Sequence, residues 1–172
     1  MQEEILSPSA ALARLKEGNK NYLNARTCSG DISPEKRLYT SKNGQKPYAV
    51  IVTCSDSRVI PECIFSAGIG DLFVIRVAGN VIDNHQLGSI QYAAEHLGCK
   101  LVIVLGHTGC GAVGAALGQN EGYLKLITDE IARAIGTESD AVRAVMRNVD
   151  RSVATIKAHL TETEDLLVVS GI

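Results

Sequence analysis

The chain of 172 residues contains no tryptophan, two phenylalanines and only four prolines. It also lacks an apolar run near the roughly 20 residues that a membrane-spanning helix needs, and it lacks any block of lysine and arginine. The formal net charge is -2, with 17 basic and 19 acidic side chains. These absences argue against a membrane-spanning protein, and against nucleic acid or an anionic membrane surface as a partner.

Cysteine is present in an odd number, five, and the five residues do not resemble a disulfide framework. Residues 1–8 carry an acidic pair and no apolar core, so we expect no secretory signal there. A cytoplasmic protein with reduced thiols is the simpler expectation. The length and the hydrophobic fraction of 45% favour one globular domain over residues 1–172.

Four short apolar runs rich in valine and isoleucine predict β-strands that are covered on both faces. The runs are 48–53, 71–77, 100–105 and 165–169. Helical patterns lie at 59–67, 86–97, 111–118 and over a long stretch near 125–160. The alternation predicts an α/β fold with a central, mostly parallel sheet of about four strands flanked by helices.

Residues 1–46 depart from this alternation and predict an N-terminal helical arm on an α/β core of residues 47–172. A serine and a proline precede a helical pattern at 10–17, as is typical of a capped helix. Residues 24–47 are polar and interrupted by proline and glycine. They predict a connecting segment with a short helix near 34–37.

Two short strings of chemically active side chains follow two of the predicted strands. Cys54, Asp56 and Arg58 come directly after the first apolar run, and His107 and Cys110 come directly after the third. Because ligands bind at the carboxyl ends of strands in open parallel sheets, we expect these side chains to converge. Two thiols and an imidazole suit zinc, and three protein ligands leave a fourth position for water.

Cys54, His107 and Cys110 are therefore the predicted zinc ligands, and Asp56 and Arg58 form the predicted catalytic pair beside the metal. Arg58 can keep Asp56 ionised through a bidentate contact, and Asp56 would orient the water on the metal. Asp56 could instead bind zinc itself and close the site, and the sequence leaves both arrangements open. Two thiolates cancel the charge of zinc, so water on the metal should be less acidic than at a site with histidine ligands alone. We therefore expect a rate that rises toward mildly alkaline pH.

At these residues the chain strongly resembles the β-class carbonic anhydrases. The similarity rests on Cys54-x-Asp56-x-Arg58 with His107-x-x-Cys110, and it extends over roughly residues 45–118. The resemblance implies an enzyme, a carbonic anhydrase and therefore a lyase. It would hydrate carbon dioxide reversibly to bicarbonate and a proton through zinc-bound hydroxide.

The resemblance also assigns residues of a substrate pocket. Gln45 matches a substrate-facing glutamine, Phe73 and Tyr92 match pocket side chains, and Ala78 stands where a larger side chain is common. Gly111 would offer a backbone N–H to the substrate oxygen. The family shares this pocket across a dimer interface that the arm wraps, which implies a homodimer or a dimer of dimers.

Three alternatives remain open on the sequence. Related zinc hydrolases of carbon disulfide or carbonyl sulfide share this scaffold, and a non-catalytic zinc module would have four protein ligands. Residues 109–114 also match G-x-G-x-x-G, with Asp129 about 20 residues further on, as in dinucleotide-binding proteins. Two predicted strands precede this match, however, and a dinucleotide site leaves Cys54, Asp56 and Arg58 without a role.

The remaining cysteines are expected to lie outside the metal site. Cys28 belongs to the polar arm, Cys63 to a predicted helix, and Cys99 to the approach to the third strand. His85 lies in a polar stretch, where a surface histidine is a better interpretation than a proton shuttle.

Overall fold

The computed structural model describes residues 5–25, 27–161, 163 and 165–172. Its strands are β1 (Ala49–Thr53), β2 (Leu72–Arg76), β3 (Leu101–Leu105) and β4 (Leu167–Gly171). All three strand pairs are parallel, and the order across the sheet is β2-β1-β3-β4. The predicted α/β class with a parallel four-stranded sheet is confirmed.

Seven helices are found among the described residues, together with one 3₁₀ turn (Ala78–Asn80). The helices are α1 (Pro8–Asn24), α2 (Pro34–Asn43), α3 (Pro61–Ile64), α4 (Asn84–His96), α5 (Gly111–Ala115), α6 (Leu124–Ile135) and α7 (Ala141–His159). Within the part of the chain that the structure describes, no helix combines the length and apolarity needed to cross a bilayer.

The two faces of the sheet are covered by different elements. On the face that we call the closed face, Val52 and Val104 pack against buried side chains of α4, α5, α6 and α7. On the face that we call the open face, Ile51 and Ile103 pack against α1 and the segment 59–67. Because every residue of β1 and β3 is buried, their apolar runs are continuous rather than alternating.

A cavity of about 850 Å³ remains on the open face. Its lining includes Leu12 of α1 together with Leu105 and Val169 of the sheet. Arg58 and His107 also line it, so the cavity extends to the edge of the sheet where the strands end.

The long helical pattern near 125–160 forms two helices rather than one. Gly136 follows α6 with a φ of +58°, and a residue in this left-handed region ends a helix. A new helix then starts at the N-cap Asp140, whose carboxylate accepts a hydrogen bond from the backbone N–H of Arg143 at 2.9 Å. The prediction of one helix was wrong because these two signals lie inside the pattern.

The helix predicted over 59–67 is also shorter in the structure. It spans Pro61–Ile64, and Ser66 has a φ of +50°, which interrupts the helical path. The two arm helices are instead longer than predicted. Ser7 and Ser33 are their N-caps, and each accepts a hydrogen bond from a backbone N–H in the first turn.

Candidate metal centre

The ends of β1 and β3 bring Cys54, His107 and Cys110 together. Their possible ligand atoms all lie within 4.8 Å of one another. The hydroxyl of Thr53, which directly precedes Cys54, donates a hydrogen bond at 2.8 Å to the carbonyl oxygen of Leu105, two residues before His107. This buried hydrogen bond connects the ends of β1 and β3 next to the group of donors.

His107 presents one ring nitrogen to the two sulfurs. Its Nδ1 lies 3.1 Å from the carbonyl oxygen of Thr108, which places the ring hydrogen on Nδ1 and leaves a lone pair on Nε2. Among the described residues, Nε2 of His107 is the one buried side-chain nitrogen or oxygen without a hydrogen-bond partner. A buried acceptor without a partner is costly, and a metal cation would satisfy it.

The donor set fits zinc. Two thiolates bound at about 2.3 Å to one tetrahedral zinc ion would lie roughly 3.8 Å apart. The Sγ atoms of Cys54 and Cys110 are 4.0 Å apart, which is close to that spacing. With the imidazole as third donor, one coordination position would remain for solvent.

The two thiols are not equivalent. The hydrogen bond from Cys110 lowers the pKa of Cys54 far below its usual value, and the backbone N–H of Gly79 also donates to the Cys54 sulfur at 3.3 Å. The same contact with Cys54 raises the pKa of Cys110. The contact between the two sulfurs therefore makes Cys54 the more acidic thiol of the pair, and metal ligation needs deprotonated thiols.

Asp56 and Arg58 form a bidentate ion pair beside the donors. Nε of Arg58 donates to Oδ1 of Asp56 at 2.9 Å, and Nη2 donates to Oδ2 at 2.7 Å. These hydrogen bonds hold the pKa of Asp56 well below its usual range. The Asp56 Oδ2 atom lies 3.8 Å from Nε2 of His107, so an ionised carboxylate borders the group of metal donors.

Arg76 fixes the backbone of the same loop. At the end of β2, its Nε donates to the carbonyl oxygen of Cys54 at 3.1 Å and its Nη2 to that of Asp56 at 2.6 Å. The sequence alone does not indicate this role for Arg76. Its one unusual feature in the sequence is that it is a charged residue at the end of an otherwise apolar strand.

The 3₁₀ turn at Ala78–Asn80 depends on a glycine. Gly79 has a φ of +66°, and a Cβ added to it would lie 2.6 Å from Cδ1 of Ile131. Any other residue would therefore meet both backbone strain and a steric clash. This turn holds the N–H that donates to the Cys54 sulfur.

Asn148 of α7 supports that turn from the closed face. Its side-chain amide is buried and donates to the carbonyl oxygen of Gly79 at 2.7 Å. Ser152, one helical turn later, donates from its hydroxyl to the carbonyl oxygen of Asn80 at 2.9 Å. No sequence signal marks Asn148, because a single polar residue on an amphipathic helix is usually a surface residue.

Two of the five predicted pocket residues lie beside the metal donors. Ala78 begins the turn that contacts Cys54, and Gly111 directly follows Cys110 as the first residue of α5. Both positions border the group at the carboxyl edge of the sheet.

The other three lie toward the amino end of the strands in the same chain. Gln45 is exposed in the segment that precedes β1, whereas Cys54 directly follows β1. Phe73 is the second residue of β2, and the ring of Tyr92 packs against it with centroids 6.1 Å apart. One chain therefore does not bring Gln45, Phe73 and Tyr92 to its own metal donors.

Cys28, Cys63 and Cys99 lie outside the group of donors, but the prediction of reduced thiols was wrong for the first two. Cys28 and Cys63 form a disulfide with Cα atoms 4.8 Å apart. Their separation of 35 residues gave no local signal for this pairing. Cys99 is a free, buried thiol that donates to the carbonyl oxygen of Pro47, and burial raises its pKa to about 12.

The glycine-rich match at 109–114 does not form a dinucleotide site in the structure. The match contains Cys110, and the helix that it opens, α5, has five residues. Asp129, the possible ribose ligand, forms an ion pair with Lys125 on α6 at 3.1 Å. The geometry therefore favours the metal interpretation of this loop.

Comparisons with known proteins agree with this geometry. The sequence profile of a family described as carbonic anhydrase matches residues 49–168. Carbonic anhydrase 2 of Mycobacterium tuberculosis is 44% identical over 135 residues, which cover 75% of this chain and 65% of that protein. The chain thus spans slightly less than two thirds of the length of this relative.

Solved structures show the same fold. A β-carbonic anhydrase of Aspergillus fumigatus is 30% identical, with a TM-score of 0.65, and the match covers 95% of this chain and 83% of that chain. A structure from work on two tetrameric β-carbonic anhydrases of Sordaria macrospora is 23% identical, with a TM-score of 0.70. That match covers 94% of this chain and 88% of the other.

Proposed function

We propose, since the chain belongs to the β-class carbonic anhydrase family, that it catalyses the reversible hydration of carbon dioxide to bicarbonate and a proton. One observation carries the proposal. Three soft metal donors lie within 4.8 Å of one another, beside a carboxylate that a guanidinium holds through two hydrogen bonds. This combination suits metal-assisted attack by water.

Cys54, His107 and Cys110 would hold zinc through Sγ, Nε2 and Sγ. Zinc in this position would supply the Lewis acidity that turns water into a nucleophile near neutral pH. The Thr108 carbonyl would hold the His107 ring in the tautomer that leaves Nε2 for the metal. The N–H of Gly79 would stabilise the negative charge on the Cys54 sulfur.

Asp56 would accept a hydrogen bond from the reacting water and so orient the water lone pair toward carbon dioxide. An ionised carboxylate is a hydrogen-bond acceptor only, and Arg58 keeps Asp56 ionised. Arg58 also donates to the carbonyl oxygen of Gly109 at 3.0 Å, which joins the two loops of the site. We favour a centre in which Asp56 does not bind the metal, because the group of donor atoms found within 4.8 Å of one another among the described residues is Cys54, His107 and Cys110, and Arg58 holds the carboxylate through two hydrogen bonds.

Ala78 and Gly111 would border the substrate. The small side chain of Ala78 leaves room above the turn at 78–80. As the first residue of α5, Gly111 has a backbone N–H without a helical acceptor, which would donate to a substrate oxygen.

We further propose that a homodimer, or a dimer of such dimers, completes the pocket. One chain keeps its Gln45, Phe73 and Tyr92 away from its own metal donors and retains a cavity of about 850 Å³ on the open face. A second copy would cover this face and supply the three missing side chains. Tyr92, which is 48% exposed in one chain, would then lose accessible surface.

The proposal is tested by stopped-flow carbon dioxide hydration combined with elemental analysis of zinc-replete protein. Wild type should hold one zinc per chain and have a kcat that rises toward mildly alkaline pH. Asp56→Asn should keep its zinc and lose about 10²–10⁴-fold in kcat, since the water loses its acceptor. Cys54→Ala should lose its zinc, whereas the matched control Cys99→Ala should keep both metal and rate.

Several outcomes would contradict the assignment. Equal rates in wild type, Asp56→Asn and Cys54→Ala would remove the catalytic roles, and stoichiometric zinc in Cys54→Ala would remove that ligand. Hydrolysis of carbonyl sulfide or carbon disulfide without carbon dioxide hydration would favour a related hydrolase.

The expectations for partners and location remain predictions. They are the absence of nucleic-acid and membrane partners and a place in the cytoplasm. Fractionation of the source cells, followed by immunodetection of the protein, tests them directly.

A further inference from the structure

The disulfide between Cys28 and Cys63 takes no part in the proposed reaction. It joins the segment between α1 and α2 to α3, and Cys28 is exposed while Cys63 is half-buried. We propose that this pair is a thiol–disulfide exchange site for low-molecular-weight thiols of the glutathione class. Its reduction releases the arm segment at 27–33 from α3.

Accessibility singles out this pair among the cysteines. Cys54, Cys99 and Cys110 are buried free thiols, whereas Cys28 is an exposed residue of the chain, so it is the cysteine that an external thiol reaches first. Exposed disulfides are typically the labile ones, whereas buried structural disulfides resist reduction. The exchange site therefore lies on the arm and not at the metal donors.

The exchange proceeds in two steps. The thiolate of a small thiol attacks Sγ of Cys28, the bond to Cys63 breaks, and Cys63 leaves as a thiolate that takes a proton from solvent. A second small thiol attacks the mixed disulfide at the sulfur of the first, which forms a small disulfide and frees the Cys28 thiol. Two electrons pass from the two small thiols to the protein, and a small disulfide reverses both steps.

The disulfide, which we call the tether, lies beside a close contact between residues 27–33 and the segment after α3. The backbone of the arm and that of the segment after α3 approach so closely that a Cβ at Gly30 would lie 1.9 Å from the carbonyl oxygen of Ala67. The N–H of Ile69 donates to the carbonyl oxygen of Asp31 at 3.0 Å. The contacts that residues 30 and 31 make here are between backbone groups, and the disulfide adds a covalent link beside them.

The same region connects to the candidate site. Asn19 of α1 donates to the carbonyl oxygen of Ile64 at 3.2 Å, and Ser66 donates to that of Gly18 at 2.9 Å. The α3 helix directly follows the loop that carries Arg58, and α1 lines the cavity that Arg58 also lines. Reduction should therefore loosen one wall of this cavity, and the effect on turnover rests on the proposed function.

The first test counts thiols in the folded, zinc-loaded protein. Samples are equilibrated in buffers of reduced and oxidised glutathione, quenched with acid, and alkylated after denaturation. Of the five cysteines, three should be alkylated in oxidising buffer and all five in reducing buffer. Five alkylated cysteines at every ratio would overturn the proposal, and so would a disulfide that glutathione reduces only after the protein unfolds.

The second test measures what reduction releases. Amide hydrogen exchange should become faster in residues 27–33 and 61–69, and the melting temperature should fall on the order of 5–10 °C. Cys28→Ser should exchange like reduced wild type in both redox states. Unchanged exchange and melting on reduction of wild type would overturn the release of the arm.

A double variant distinguishes the effect of breaking the disulfide from the effect of removing zinc. Thiol reductants also bind zinc, so the same treatment is applied to Cys28→Ser/Cys63→Ser, which keeps the metal donors and lacks the tether. Only changes that wild type shows and the double variant lacks count for the proposal. Because thiol counting does not depend on catalysis, a failure of this site and a failure of the carbonic anhydrase assignment are distinguishable.

Discussion

The closed and open faces of the sheet are built from the same strands but are completed differently. On the closed face, α4 to α7 enclose Val52 and Val104, and the buried Asn148 reaches the turn that supports the Cys54 sulfur. On the open face, α1 and the segment 59–67 cover the strands in part, and a cavity of about 850 Å³ remains. The metal donors thus adjoin a fully packed core on the closed face and a solvent-accessible cavity on the open face.

The largest contrast should appear when one apolar side chain is shortened on each face. Ile156→Ala removes a fully buried side chain of α7 and should lower the free energy of unfolding by about 2–5 kcal/mol. Leu12→Ala, which alters a half-buried side chain beside the cavity, should cost less than about 1.5 kcal/mol in dilute protein. Urea denaturation measures both values.

The same pair of variants tests the proposed dimer. Leu12→Ala should weaken self-association in sedimentation experiments, and Ile156→Ala should leave the assembly of the folded fraction unchanged. If both variants lost the same stability and neither changed its self-association, the open face would not differ from the closed face as proposed.

A smaller effect is expected where the closed face reaches the metal centre. Asn148→Ala leaves the carbonyl of Gly79 without its buried donor, which should cost about 1–3 kcal/mol of stability. The turn that stabilises the Cys54 sulfur would lose its support, so zinc should transfer to a chromophoric chelator about 10-fold faster. Thr155→Ala is the matched control on the same helix, because its hydroxyl donates to the carbonyl oxygen of Arg151 and not to the turn. Transfer rates that match wild type in both variants would refute the link.

The smallest effect should come from the connection between α6 and α7. The hydrogen bond from Arg143 holds the pKa of Glu138 below its usual value. Because the folded state lowers this pKa, the interaction stabilises the protein above about pH 4.3 and is lost as the pH falls further. Melting temperatures of wild type and Glu138→Gln should therefore differ slightly at neutral pH and converge in acid, as the pH falls through the lowered pKa of Glu138. A difference that grows in acid would contradict the sign of the shift.

Features that depend on local sequence patterns could be predicted, whereas features that depend on contacts between distant segments could not. The strands and the convergence of Cys54, His107 and Cys110 were predictable, because valine-rich runs mark strands locally and parallel topology aligns their ends. The split between α6 and α7 is also marked locally, by Gly136 and the capping Asp140, but these two residues lie inside an otherwise continuous helical pattern. The disulfide of Cys28 with Cys63 and the support from Asn148 depend on docking between distant segments, which no local pattern encodes.

The bond between Thr53 and Leu105 bears on biosynthesis. These residues are 52 positions apart, and the adjoining thiols cannot meet until β1 and β3 have paired. Parallel pairing over such a separation is slow compared with helix formation. A nascent chain on the ribosome therefore lacks the complete set of metal donors until its third strand has emerged and paired with the first. Metal binding should therefore follow the pairing of these two strands.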